Sequence, residues 1–272
     1  MKRPAPNRRP AESSQPSTEI IFGRNAVLEA LRAGRRVKRL LVDREAAGGA
    51  DQREAARLAE GLRIPVEQVD RRRLDSIAAE HQGLAAVVGQ YPYASWGQLI
   101  ERLRMRSAPG AVLLLDTLHD PQNLGTLLRT ADALSLDAVV LPRHRAVHVT
   151  PAVVRASAGA VEHLTVPVVS SLVQAVADLK DAGFWVAGLD AEGDREYWEL
   201  DMRGPTALVL GGEDHGIGRL LKEKCDFLVR LPMAGNVNSL NASVAGSIVL
   251  YEMARQRAKN PLPSLEPGSG RG

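Results

Sequence analysis

Ala207-Leu-Val-Leu-Gly-Gly-Glu-Asp-His-Gly-Ile-Gly218 runs four apolar residues straight into a cluster of glycines with a carboxylate inside it. A short, unbroken apolar run bounded by glycine suits a strand buried on both faces. Glycines directly after such a strand let backbone amides come close to a ligand. Their spacing is not that of the dinucleotide-binding fingerprint, and no Lys-Ser/Thr pair follows, so this is not a P-loop either. Glu213 at the strand end can hydrogen-bond a hydroxyl or an arginine; a plain helix-start carboxylate is the alternative reading.

Outward from this stretch, similar apolar runs recur at Val112–Asp116, Ala138–Leu141, Thr165–Val169, Trp185–Leu189 and Phe227–Leu231, with helical patterns between them. A long last helix is expected from about Leu240 to Gln256. Apolar strands alternating with amphipathic helices predict an α/β domain over residues 110–259, a mostly parallel sheet with helices on both faces. Such sheets bind ligands at the carboxyl ends of their strands.

Two more strand ends carry unusual residues. After Asp116 the chain reads Thr117-Leu-His-Asp-Pro-Gln-Asn123-Leu-Gly125-Thr-Leu-Leu-Arg129. Asp120 or Asn123 can cap a helix here, and Gly125 permits close approach of another backbone or a ligand. Arg129 follows Gly125 by four residues on the same helical face, where it can fork onto a phosphate or simply face solvent. After Leu231 the chain reads Pro232-Met-Ala-Gly-Asn236-Val-Asn238-Ser239-Leu240-Asn241-Ala-Ser243. Asn238 or Ser239 is the expected helix cap, with Asn241 in the first turn within reach of a ligand. One cap accounts for one small polar residue and leaves several to explain. Leu240, Val244, Ile248 and Tyr251 share a face, while Ala242 to Ser247 are small enough for very close packing.

The residues upstream form a second block, 19–91, in which strands and helices alternate as in a small α/β sandwich. Helices are expected at Arg24–Leu31, Gln52–Leu62 and Arg71–Ala79, and strands at Lys38–Asp43, Pro65–Val69 and Leu84–Val88. Residues 92–109 read as a linker with one amphipathic helix near Trp96–Leu103. Residues 1–18 read as a disordered basic tail and 260–272 as a second disordered tail.

The 272 residues carry a net charge of +3, which suits a nucleic-acid partner without establishing one. A single cysteine, Cys225, excludes an internal disulfide and a cysteine-based zinc site. No apolar run is long enough to span a bilayer and no secretory signal opens the chain, so a cytoplasmic location is expected. His144 and His148 lack a convincing third ligand, and no metal is expected. Arg143 and Arg145 make a basic loop suited to phosphate. Arg71, Arg72 and Arg73 read either as a solvated helix start or as an RNA contact; positive charge there opposes the helix dipole, which favours RNA contact.

Together the three loops resemble the motifs of the SpoU family of RNA ribose methyltransferases, within the SPOUT superfamily. The resemblance runs through Asn123, Gly125 and Arg129, then Gly211, Glu213 and Gly216, then Pro232, Ser239-Leu240-Asn241 and Ser243. The upstream block, through Ile21-Phe-Gly-Arg24-Asn-Ala-Val27 and His81-Gln-Gly83, is similar to the family's substrate-binding domain, which is related to ribosomal protein L30e. Asp214 departs from the glycine of many relatives.

The resemblance implies a trefoil knot in the C-terminal domain and a homodimer with the last helix at its interface. It implies S-adenosyl-L-methionine held by backbone around Leu210, Gly211, Leu231, Met233 and Leu240. Arg129, Asn123, Glu213, Ser239 and Asn241 would be catalytic, and Arg24 would join Arg71–Arg73, Arg143 and Arg145 in binding RNA. The implied reaction is methyl transfer to a ribose 2′-hydroxyl, with a guanosine of 23S ribosomal RNA the nearest match. Transfer RNA is the alternative substrate, and a non-catalytic RNA-binding assembly protein the alternative class. The family makes the motif arginine a general base; a guanidinium stays protonated in ordinary sites, so a phosphate clamp is the plainer role.

Overall fold

The computed structural model describes residues 18–212, 216–236 and 239–258. The N-terminal block contains β1 (Thr18–Phe22), α1 (Arg24–Arg32), β2 (Val37–Asp43), α2 (Ala50–Gly61), β3 (Val66–Val69), α3 (Arg71–Asp75) and β4 (Leu84–Gly89). Its sheet runs β1-β4-β2-β3. β4 pairs antiparallel with β1 and β2, and β2 pairs parallel with β3.

The chain continues through α4 (Trp96–Arg104), β5 (Ala111–Leu115), α5 (Pro121–Ala133), β6 (Ala138–Pro142), α6 (Pro151–Ala156) and β7 (Val168–Val169). Then come α7 (Leu172–Asp181), β8 (Trp185–Leu189), β9 (Arg195–Glu196), β10 (Thr206–Leu210), α8 (Arg219–Lys222), β11 (Phe227–Arg230) and α9 (Ala242–Arg257). The second sheet runs β7-β6-β5-β10-β8-β11-β9, and every neighbouring pair is parallel.

Strands buried on both faces send alternate side chains into two cores. Leu113, Leu115, Leu208 and Leu210 face the core under α5 and α9. Val112, Leu114, Ala207 and Val209 face the core under α4 and α7. The first core continues without a break into Ile21, Val27, Leu40 and Val88 of the N-terminal domain.

Several expectations need correction. Thr18, assigned to the tail, opens β1, which is held by pairing with β4 and has no strong apolar run of its own. Residues 1–17 and 259–272, which hold the expected tails, lie outside the described residues. The amphipathic helix expected near Trp96–Leu103 in the 92–109 segment forms as α4: Leu99, Ile100 and Leu103 are buried against the sheet, and Trp96 Nε1 donates to Asp178 at 2.7 Å. The expected helix Arg71–Ala79 ends at Asp75, and the expected strand Thr165–Val169 forms only at Val168–Val169. β9, two residues long, gives no periodic signal.

Candidate active site

β5 and β10 are adjacent and parallel, so the first and second loops leave the same edge of the sheet side by side. Asp116 N donates to Leu210 O at 2.8 Å, extending the ladder past both strands. The loops then touch. A Cβ on Gly212 would sit 2.9 Å from the Thr117 carbonyl carbon, and one on Gly211 would overlap the Gly216 backbone. Only glycine fits at these two positions. Asp116 Oδ2 accepts from Gly218 N at 2.9 Å and ties the far side of the second loop to the first. In the sequence Asp116 reads only as a strand end, and nothing local marks it as a tie between loops.

The first and third loops meet through side chains. Asp120 caps α5 by accepting from Gln122 N, with Pro121 behind it. Asn123, one turn in, is buried and accepts at Oδ1 from Asn241 Nδ2 at 2.8 Å. Asn241 Oδ1 in turn accepts from Ser243 N at 2.9 Å and Val244 N at 3.3 Å. Asn241 is therefore the N-cap of α9, not Ser239 or Asn238, because it is the residue anchored across the domain by Asn123. Ser243 Oγ lies 2.6 Å from Asn241 Oδ1 and 3.1 Å from Asn123 Oδ1, so its one proton serves these two acceptors. Asn123 and Asn241 thus act first on each other and on the backbone.

Arg129 projects from α5 into solvent, with no hydrogen bond or ion pair among the described residues. At about 100° per residue it lies some 40° from Gly125 on the helix circumference. Gly125 packs on α6, while Thr130 meets Ser247 of α9 at 2.9 Å. Arg129 therefore opens from the exposed strip of α5 between these two flanks. Glu213 lies outside the described residues, as do Asp214, His215 and Asn238.

The expected cofactor residues gather at the same edge by virtue of their strands. The Leu210 side chain is buried beneath Gly246 of α9, so only its backbone faces the loops. Leu231 is half-buried, whereas Ser239 is exposed and Met233 and Leu240 are large apolar side chains left 36% and 40% exposed. Backbone at two strand ends beside uncovered apolar side chains fits a ligand that is part polar and part apolar.

The expected RNA-binding arginines are exposed but scattered. Arg143 and Arg145 lie on the loop after β6, which Val147 N ties to Leu118 O at 2.7 Å, beside the first loop. The same loop is braced by Tyr93, whose hydroxyl accepts from Val149 N; burial pushes that phenol above its usual pKa. Arg24 pairs with Asp51 at 3.4 Å and Arg73 with Glu67 at 2.5 Å, while Arg71 and Arg72 have no ion pair among the described residues. Burial pushes the Cys225 thiol up to about 11, out of the reactive thiolate range at neutral pH. Among the described residues there is no cluster of three or more His, Cys, Asp or Glu that could hold a metal, and no helix is long and apolar enough to cross a membrane.

Residues 110–251 match the SpoU rRNA Methylase family, and residues 20–94 match the RNA 2′-O ribose methyltransferase substrate-binding family. A Staphylococcus saprophyticus protein named as a TrmH family tRNA/rRNA methyltransferase is 41% identical over 88% of this chain and 96% of its own. A Bacillus subtilis protein of the same naming is 41% identical over 90% of this chain and 97% of its own. The SpoU methyltransferase AviRb of Streptomyces viridochromogenes, solved with AdoMet, superposes with a TM-score of 0.73 at 28% identity, covering 88% of this chain and 89% of that one. A buried parallel sheet, three loops meeting at one edge, and these matches over nearly nine-tenths of the chain place it in the SpoU (TrmH) family of RNA methyltransferases.

Proposed function

We propose that the protein transfers a methyl group from S-adenosyl-L-methionine to a ribose 2′-hydroxyl of RNA, and that the target is a guanosine of 23S ribosomal RNA. The observation that carries this reading is the Asn123–Asn241–Ser243 network, which locks α5, the helix bearing Arg129, to the segment bearing Ser239 and Leu240. A pure RNA-binding protein has no need to hold these segments together. The relatives named above are termed tRNA/rRNA enzymes, so transfer RNA is the competing substrate.

The cofactor supplies a sulfonium methyl, electrophilic enough to be taken by an oxygen nucleophile. Backbone at Leu210, Gly211 and Leu231 would hold it, with Met233 and Leu240 covering its apolar part. Arg129 clamps a substrate phosphate through its planar fork and so orients the neighbouring hydroxyl. Orientation of this kind supplies several kcal/mol of barrier reduction. Glu213 and Ser239 are the polar groups that would receive or hydrogen-bond the proton leaving the hydroxyl. The α9 face of Val244 and Tyr251, apolar and outward, suits a homodimer contact. The chain from β10 to α9 would close the family's trefoil knot, and the enzyme would work in the cytoplasm.

The test is transfer of labelled methyl to total RNA, followed by mapping. The expected product is a 2′-O-methyl nucleotide, which blocks alkaline cleavage at one site of the large ribosomal RNA. Label on a base, or on transfer RNA alone, would overturn the corresponding part of the reading.

A further inference from the structure

The segment Pro151–His163, made of α6 and the 3-10 turn Ala160–His163, is wedged between the two domains. On one side it meets α5. A Cβ at Gly125 would stand 2.7 Å from the Ala156 carbonyl carbon and 2.8 Å from Ser157 N, so the helix and the wedge are in backbone contact. On the other side it meets α1. Gly159, at φ +84°, lies where a Cβ would be 2.7 Å from Glu29 Cβ and 3.0 Å from Asn25 O.

Polar groups close the joint. Arg35 Nη1 donates to Glu162 Oε1 at 2.6 Å, and both side chains are only 2% exposed. Arg35 Nη2 also reaches Gly89 O at 3.1 Å and Glu19 at 3.4 Å. The Tyr91 hydroxyl donates to Val161 O at 2.8 Å. At the rim, His163 lies 2.8 Å from Glu29, and Arg155 pairs with Glu80 while its guanidinium covers the Phe22 ring at 5.5 Å. Burial leaves Arg35 Nε without a hydrogen-bond partner. A buried pair with an orphaned donor is a weak source of stability, and its best use is to specify one arrangement over others.

Arg129 is one helical turn beyond Gly125, on the exposed strip of α5 next to the flank that the wedge borders. We propose that Arg35 and Glu162 are positioning residues, which through Pro151–His163 hold the N-terminal domain at a set place relative to Arg129, so that RNA gripped by that domain presents its target nucleotide to the arginine. This rests on the reading of Arg129 as a phosphate clamp. A domain free to swing on a tether would bind RNA equally well but align it poorly, and misplacement by about 1 Å can cost ~10²-fold in rate.

The experiment uses the full chain, S-adenosylmethionine and total RNA, comparing Glu162→Gln, Arg35→Met and the double variant Arg35→Met/Glu162→Met. The single variants are expected to lose about tenfold or more in the single-turnover rate constant of methyl transfer, with enzyme in saturating excess over RNA. Their half-saturating enzyme concentration and their cofactor affinity by calorimetry should stay within about threefold, a split that loss of folded protein does not produce, because it raises the half-saturating concentration and leaves the rate constant alone. The double variant removes both specifying charges and leaves Glu19, 30% exposed, to solvent, so it should stay about as slow as the slower single variant. Wild-type rates in the single variants, or a double variant that recovers the wild-type rate, would overturn the proposal. If the single variants fail to fold, Glu29→Gln at the half-exposed rim should show the same split at a few-fold size, and an unchanged rate there overturns it too. If the wild type labels no RNA, the methylation reading fails by itself. The joint is then read by hydrogen exchange: Glu162→Gln should expose amides of both α1 and Pro151–His163, and unchanged protection would count against the coupling.

Discussion

Asn241 carries two tasks that pull on the same side chain. Its oxygen caps α9 and its amide nitrogen fills the buried acceptor of Asn123. Asn241→Ala removes a cap worth about 1 kcal/mol and disturbs a buried polar network worth a further 1–3 kcal/mol or so. Urea unfolding is expected to show a loss of about 2–4 kcal/mol, whereas Ser239→Ala, exposed, should leave stability unchanged. Arg129 is the opposite case, a side chain without structural partners among the described residues. Arg129→Ala should retain the wild-type midpoint in urea and lose ~10²-fold or more in single-turnover methyl transfer. Arg129→Lys keeps the charge without the fork, so a clamp role predicts partial recovery with little new pH dependence. Activity that climbs as pH passes through the lysine range would instead mark this side chain as the proton acceptor.

Two glycines decide how α5 meets its neighbours, and they differ in what surrounds them. Gly125 faces the backbone of Ala156 and Ser157, which cannot retreat without moving α6. A Cβ at Gly246 of α9 would stand 2.8 Å from the Leu127 Cδ2 methyl and 2.9 Å from the Leu210 Cδ2 methyl, which can rotate aside. Alanine gains about 1 kcal/mol of helix propensity at either position. At Gly246 that gain should roughly offset the crowding, leaving stability within about 1 kcal/mol of wild type. At Gly125 the backbone clash should prevail and cost about 1–3 kcal/mol. The same chemical unfolding series checks both, and equal effects would show that α6 yields as readily as a leucine side chain. The first turns of α9 bury small residues, Ala242, Ser243 and Gly246, and Val249, Leu250 and Met253 fill the core further along, while Val244 and Tyr251 face solvent. The small residues let the helix entrance lie close on α5, and Val244 and Tyr251 are left over for another surface.

That leftover surface belongs to the assembly of the molecule. If it joins two copies, Tyr251→Asp should shift sedimentation from dimer to monomer, because an unpaired carboxylate cannot be buried there cheaply. A wild-type chain that sediments as a monomer at micromolar concentration would rule the contact out. The charge of the molecule is the second global property. Arg71 and Arg72 are exposed beyond any ion pair among the described residues, while Arg73 and Arg39 both reach Glu67. Replacing Arg71 and Arg72 should therefore reduce the salt slope of RNA binding by nearly one unit for each phosphate left without its arginine, and replacing Arg73 by less. Cofactor affinity should not change. An unaltered slope in the Arg71/Arg72 variant would show that this surface does not touch the phosphate backbone.

The local pattern of residues was enough to determine the parallel sheet covered by helices on both faces, because runs such as Ala207–Leu210 have no polar side to turn to water. It was also enough to single out the three loops, since glycines and small amides after buried strands have few structural uses. Tertiary structure alone decided what those amides do. A cap belongs to whichever residue the chain holds at the helix entrance, and Asn241 is held by Asn123, 118 positions away. It alone decided that β1 and β9 are strands, because their pairing partners are distant and their own patterns weak. The union of the two domains through Arg35 and Glu162, 127 positions apart, left no trace in either local sequence. Local propensity reports what a segment can form, and only the packed chain sets which distant groups satisfy it.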